Sequence, residues 1–334
     1  MMYNLPIGNS SKSKRKYRAV IVVVILAALL LARQFAPGEK AVTVSSAQTT
    51  VLKSELPPTI SEGYLLSSPD APKPLIYAKN YALMDGENGD LLIAEKADDL
   101  IPIASTTKMV TALVVVDKIP LDKVVTISTK PPSVMGSKIN LLTGEKITVE
   151  SLLKALLINS GNDAAFALAE AYSGKVGEYQ PFIDEMNKLV KSHGLSKSSF
   201  FDPAGLDDER GRSTARELAH IARLVLNNDT LRSIITTPQA TVTSVDGSIR
   251  HDLKNTNRLI QSDTSFYLPN ALGVKTGFTH DAGHSLVSAY KFNDRTLIGV
   301  VMNTVEYTNT ASAAESKKLY LWADKYVSLK KYVH

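Results

Sequence analysis

Residues 100–113, "LIPIASTTKMVTAL", mark the point at which the chain changes period. Upstream, the apolar runs "LIYAKNYALMD" (75–85) and "LLIAEKA" (91–97) flank Gly86-Glu87-Asn88-Gly89-Asp90, and two such runs around a turn-forming cluster predict a β-hairpin. After Pro102, which favours the first turn of a helix, Met109, Ala112, Leu113 and Val116 fall on one helical face. Helical spacing recurs over 149–158, 163–172, 180–193 and 214–228. Strand-like runs return at "HSLVSAYKF" (284–292) and "RTLIGVVMNT" (295–304), joined by Asn293-Asp294, ahead of a last amphipathic helix over 311–327. Strands at both ends with helices between them predict an α+β fold, one antiparallel sheet made of N- and C-terminal strands with a helical lobe inserted. A cleft between sheet and lobe is the natural place for a site.

The rest of the composition narrows the class. With 334 residues, 44% hydrophobic and 21% charged, the chain can bury a substantial core. Lys12, Lys14, Arg15, Lys16, Arg18 and Arg33 all precede the first acid, Glu39; taking these six from the formal +5 leaves about −1, which argues against a nucleic-acid surface. The absence of cysteine excludes disulfides and thiolate chemistry. His280 and His284 stand at a ligand-like spacing but lack a third ligand nearby, so they read as ordinary polar residues; no metal or cofactor is assigned.

The run "AVIVVVILAALLLA" (19–32) follows five basic residues, the pattern that sends the downstream chain across a membrane. Fourteen residues suit a signal-peptide core, yet "RQFAPGEKA" offers no good cleavage site, and Arg18 and Arg33 can snorkel to lengthen the span. The expectation is a basic cytoplasmic tail (1–18), a transmembrane signal anchor (19–36), an extracytoplasmic Ser/Thr/Pro-rich tether (37–62) and a folded domain (63–330) on the outer face of the cell membrane. Cleavage would instead leave that domain secreted or periplasmic.

Ser105-Thr106-Thr107-Lys108 poses the chemical question. The Ser-x-x-Lys spacing occurs six times, at Ser11, Ser13, Ser105, Ser151, Ser288 and Ser328, so the pattern alone says little. Ser105 differs in lying at a helix start, where a spacing of three brings hydroxyl and amine together. The positive end of the helix dipole is expected to lower the amine's pKa, and free amide N–H groups there can stabilise an oxyanion. Ser160-Gly161-Asn162, the sole Ser-x-Asn, falls between two helical runs, where Asn162 or Asp163 could equally be a helix cap. Lys275-Thr276-Gly277 also occurs once, in an extended stretch that could simply end a strand at a glycine.

The three in this order form the triplet of penicillin-recognising serine acyl-transfer enzymes. With "LLTGEKITVESLLKALLINSGNDAAFALAE", "FFDPAGLD", "STARELAHIA", "NTNRLI" and "GVKTGFTHDAGHSL", residues from about 63 to 327 resemble the serine D-alanyl-D-alanine carboxypeptidases, the low-molecular-weight penicillin-binding proteins. The resemblance implies a β-lactamase/transpeptidase-like fold. It implies an acyl-enzyme on Ser105, with Lys108 as general base and Ser160 relaying a proton. Asn162, Lys275, Thr276, Gly277 and Phe278 would bind substrate, Lys275 also keeping Lys108 neutral. The backbone N–H groups of Ser105 and Phe278 would form the oxyanion hole. The implied substrate is a peptidoglycan stem peptide ending in D-Ala-D-Ala, and β-lactams would be covalent inhibitors.

Many relatives carry an arginine after the last sheet strand that helps bind the substrate carboxylate, whereas "YTNTASA" (307–313) has none, so that role falls to Lys275 and Thr276 or to a distant group such as Arg258. Relatives often add a C-terminal β-domain and anchor helix; here the N-terminal segment is expected to supply the anchor. Three other readings stay open: an endopeptidase or transpeptidase, which would keep every residue named; a β-lactamase, for which Glu209 lies outside the expected context; and a non-catalytic wall-binding module.

Overall fold

The computed structural model describes residues 63–330, so the tail, apolar segment and tether expected over 1–62 lie outside the described residues. Among the described residues no helix is long and apolar enough to cross a membrane.

The strands are β1 (Tyr64–Ser67), β2 (Ala78–Asp85), β3 (Leu91–Glu95), β4 (Ile101–Pro102), β5 (Val124–Thr126), β6 (Lys146–Thr148), β7 (Arg212–Ser213), β8 (Gln239–Thr243), β9 (Arg250–Lys254), β10 (Ala271–Thr279), β11 (Gly283–Phe292), β12 (Arg295–Thr304) and β13 (Val327–Lys330). The helices are α1 (Lys108–Lys118), α2 (Val149–Ile158), α3 (Asn162–Ser173), α4 (Gln180–Ser192), α5 (Ala215–Leu226), α6 (Asp229–Ile235) and α7 (Ala311–Tyr326).

The central sheet runs β10-β11-β12-β2-β3, antiparallel throughout. The first hairpin is therefore stitched to the last one through β2 and β12, as the sequence pattern predicts. Its strands read as continuous apolar runs because both faces are covered. Met84, Val287, Ile298 and Val300 face the core shared with α5 and the helical lobe, whereas Leu83, Leu286, Leu297 and Val301 pack with Leu319, Tyr320 and Trp322 of α7. Asp85 and Arg295, both buried, join β2 to β12 through a contact of 2.6 Å between Oδ2 and Nη2.

Three of the helices, α2, α5 and α6, start at side-chain caps. Thr148 accepts from Ser151 N at α2, Thr214 from Glu217 N at α5, and Asn228 from Leu231 N at α6. Periodicity locates α1 to α5 and α7 within a few residues. The sequence reading has no place for α6, the β8–β9 hairpin or the β1–β13 pair. Each is short, and β8 and β9 alternate so many polar residues that only Val242, His251 and Leu253 are buried and one of those three is polar.

Candidate active site

Ser105 lies in a 3₁₀ turn, Ala104–Thr107, immediately ahead of α1. The preceding Ala104 has φ +47°, a left-handed conformation costly for a residue with a Cβ, and this sharp turn presents Ser105 to the cleft. Ser160, between α2 and α3, also has a positive φ, +59°. Two of the three motifs therefore sit on strained backbone that the surrounding packing must hold.

Lys108 Nζ lies 2.8 Å from Ser105 Oγ, 2.7 Å from Asn162 Oδ1 and 2.8 Å from the Ala204 carbonyl. Asn162 Nδ2 donates to the Met135 carbonyl at 2.6 Å, which fixes its oxygen toward Lys108. The amine must therefore donate to Asn162 and Ala204, and its third position, toward Ser105, is where a neutral amine keeps its lone pair. Burial is the main cause that lowers the Lys108 pKa, to about 7, against the opposing charges of Asp202 and Asp163. This corrects the expectation that the helix dipole does it: Lys108 is wholly buried, and desolvation of an ammonium outweighs a partial charge at a helix end.

Lys275 Nζ donates to Ser160 Oγ at 2.9 Å and to the Thr276 carbonyl at 3.0 Å. It too is buried, and its pKa is lowered by burial first and by the charge of Lys108 second. Repulsion between the two amines is mutual and disfavours charging both, and at each of them burial is the largest cause of the lowered pKa.

Both lysines stand behind the wall of a cleft of about 700 Å³, whose lining includes Ser105, Ser160, Asn162, Thr276, Gly277 and Phe278. Thr276 Oγ1 is 2.5 Å from Thr256 Oγ1. Gly277 is needed for the approach of β10 to the serine turn, since a Cβ there would lie 3.1 Å from the Ile103 carbonyl and 3.3 Å from Ala104 Cβ. Phe278 is half-exposed at the rim, stacked on His284 at 4.2 Å, while His280 Nδ1 is 3.2 Å from the Tyr307 hydroxyl. All eight residues singled out in the sequence are thus brought to one place. The other described serines of the Ser-x-x-Lys set are not: Ser151 bonds Thr148 Oγ1, Ser288 is buried between the Gly299 carbonyl and the Tyr320 hydroxyl, and Ser328 lies in β13.

Two carboxylates behind the cleft wall, Asp202 and Asp163, do work that the sequence reading does not foresee. Asp202 accepts from Ala204 N at 2.6 Å, Gly205 N at 2.8 Å and Leu206 N at 3.0 Å, folding the turn that aims the Ala204 carbonyl at Lys108. Asp163 accepts from Ile139 N and Leu141 N, both at 3.1 Å, and so binds the loop after Met135 to α3. Asp-Pro-x-Gly in "FFDPAGLD" is a turn signal, but only the fold shows what the turn faces. Gly205, at φ +81°, leaves no room for a side chain: a Cβ would stand 1.9 Å from the Ala104 carbonyl. Gly205→Ala is therefore expected to lower Tm by several degrees and displace the Ser105 turn, read by thermal denaturation and by the rate of β-lactam acylation. An unchanged rate with unchanged Tm would refute this account.

The family model for D-alanyl-D-alanine carboxypeptidase, peptidase S11, matches residues 67–306. The chain belongs to this family. Among its relatives, the D-alanyl-D-alanine carboxypeptidase DacF of Bacillus subtilis is 34% identical over 229 residues, covering 67% of this chain and 57% of that protein. This S11 chain thus spans little more than half the length of that relative. The D-alanyl-D-alanine endopeptidase of Escherichia coli is 30% identical over 301 residues, covering 89% of this chain and 86% of the relative. The crystal structure of the Streptomyces K15 DD-transpeptidase superposes with a TM-score of 0.69 at 32% identity, covering 76% of this S11 chain and 99% of the other. The antiparallel sheet with an inserted helical lobe inferred from periodicity, and the transpeptidase-like fold implied by the resemblance, are those of the family.

Proposed function

We propose that this protein is a serine D-alanyl-D-alanine carboxypeptidase that removes the terminal D-alanine from peptidoglycan stem peptides and is acylated by β-lactams. The observation that carries this is the pair of contacts made by two buried lysines, Lys108 to Ser105 and Lys275 to Ser160, meeting at one cleft. Ser105 Oγ attacks the carbonyl of the penultimate D-alanine while its proton passes to neutral Lys108. The backbone N–H groups of Ser105 and Phe278 hold the oxyanion. The C–N bond then breaks, the proton reaches the departing amine by way of Lys108 and Ser160, and water hydrolyses the acyl-enzyme. Thr276 and Gly277 bind the substrate along β10 as an added strand would.

An endopeptidase acting on cross-links is the second reading, supported by the E. coli relative matched over 89% of this chain. A β-lactamase is disfavoured: among the described residues no Asp or Glu lines the cleft, and Glu209 is exposed outside it. The basic N-terminal run, with its apolar stretch over 19–32, supports placing the enzyme in the cell membrane with this domain outside.

The test is intact mass after exposure to a β-lactam, with free D-alanine counted from a pentapeptide ending in D-Ala-D-Ala and from a cross-linked dimer. A stable adduct on Ser105 with release from the pentapeptide supports the main reading; cleavage of the dimer alone supports the second.

Asp202→Asn probes the electrostatics. The side chain keeps an oxygen for the turn but loses the charge that raises the Lys108 pKa, so the acid limb of kcat/KM is expected to move to lower pH. A limb that stays in place would dismiss Asp202 as an electrostatic partner of Lys108.

A further inference from the structure

The orientation of Asn162 depends on the loop after Met135. Asn162 Nδ2 donates to the Met135 carbonyl at 2.6 Å and Asn162 N to the Ser137 carbonyl at 2.7 Å, while Gly136 and Ser137 line the cleft. The loop is exposed over 135–137 and carries Asn140 at φ +63°, a left-handed conformation that persists only where the surroundings enforce it. Asp163 grips it from α3 through Ile139 N and Leu141 N. A second grip falls on the Ile139 carbonyl, which lies 2.9 Å from His251 Nδ1 of β9.

His251 and Glu145 are both buried, and the acyl-transfer steps use neither. Their contacts fix where the protons lie. A carbonyl only accepts, so Nδ1 carries a hydrogen, and the 2.8 Å contact between Nε2 and Glu145 Oε1 needs a second proton between them. Ring and carboxylate together therefore carry no net charge, which avoids the cost of a buried unpaired ion. Glu145 Oε2 also accepts from Leu142 N at 3.0 Å, so the pair holds the loop at both Ile139 and Leu142. The base of this clamp is firm: β9 pairs with β8 along its length, buries Leu253 in the core and ends at Lys254, which with Asn255 and Thr256 lines the cleft.

We infer that His251 and Glu145 are positioning residues for acyl transfer: they clamp the 135–142 loop to β9 and so hold Asn162 in the orientation that Lys108 and the substrate require. The inference rests on the peptidase reading above. Neither residue lines the cleft, so their effect on the reaction passes through the loop to Asn162. A displacement of the order of 1 Å in such a group is enough to slow a reaction by one or two powers of ten.

The experiment is a double-mutant cycle on the full chain, with the rate of β-lactam acylation of Ser105 followed by intact mass. His251→Phe alone would leave Glu145 buried and unpaired, so it is combined with Glu145→Leu; removing both partners leaves no buried charge and should keep Tm within a few degrees of the wild type. The combined variant is expected to acylate about 10-fold more slowly than the wild type. In an Asn162→Ala background the same two substitutions should cost less than about twofold, because the group they position is already gone. Glu145→Gln is the conservative rescue: its amide can donate to His251 Nε2 while its oxygen accepts from Leu142 N, and its rate should stay within about threefold of the wild type. Equal losses in both backgrounds, as a purely structural pair would give, or no loss in either, overturn the clamp and leave the peptidase reading standing. A wild type that takes up no β-lactam and releases no D-alanine from a pentapeptide overturns that reading, and this inference with it.

Discussion

Ser105→Ala is expected to take up no β-lactam and to release D-alanine at least about 10⁴-fold more slowly than the wild type. The hydroxyl lines the cleft with the buried amine of Lys108 beside it, and removing it leaves only the oxyanion donors and substrate binding. The substitution leaves Lys108 its contacts with Asn162 and Ala204, so the fold should survive and circular dichroism should match the wild type. Ser151→Ala is the paired control. Ser151 shares the Ser-x-x-Lys spacing, but its hydroxyl bonds Thr148 Oγ1 and the amine of Lys154 is taken by Glu150 at 2.7 Å. It should retain both activities. A Ser105→Ala protein that still forms an adduct would move the nucleophile elsewhere.

Lys108 should give the second largest effect and a pH signature with it. Lys108→Arg is expected to cut acylation by about 10³-fold or more, because a guanidinium cannot give up its proton to become a base at any accessible pH. In the wild type, kcat/KM should rise with pH through an apparent pKa of about 7, since the base is active only when neutral. The same shift bears on stability. Between about 7 and the ordinary lysine value of 10.5, the folded state holds fewer protons on this amine than the unfolded chain. This group's contribution to stability therefore increases as pH rises through that window. A pH profile of β-lactam acylation, followed by intact mass, would show the limb. Its absence between pH 6 and 8 would remove Lys108 from the role of base.

How far the fold and site can be read from the chain depends on the range of the interaction concerned. The change of period after Leu100, the turn formers at 86–90 and the apolar runs near each end are local, and they suffice for a sheet made of distant strands with helices between. Ser105, Ser160 and Lys275 stand out because their spacings are read along the backbone. The β8–β9 hairpin is less visible because its stability comes from neighbours: β9 is anchored by His251, whose ring bonds the Ile139 carbonyl at 2.9 Å and Glu145 at 2.8 Å.

The sequence by itself determined the class of fold and which residues are chemically able to act. What only the tertiary structure decided is their electrical state and their allegiance. Burial leaves a large share of Lys108 as the neutral amine, a base, near neutral pH, and Lys275 turns inward to Ser160. Asp202 shapes a turn 94 positions away from the lysine it serves. Desolvation and pairing depend on what surrounds an atom in space, and residues far apart in the chain become neighbours only when the lobe closes on the sheet.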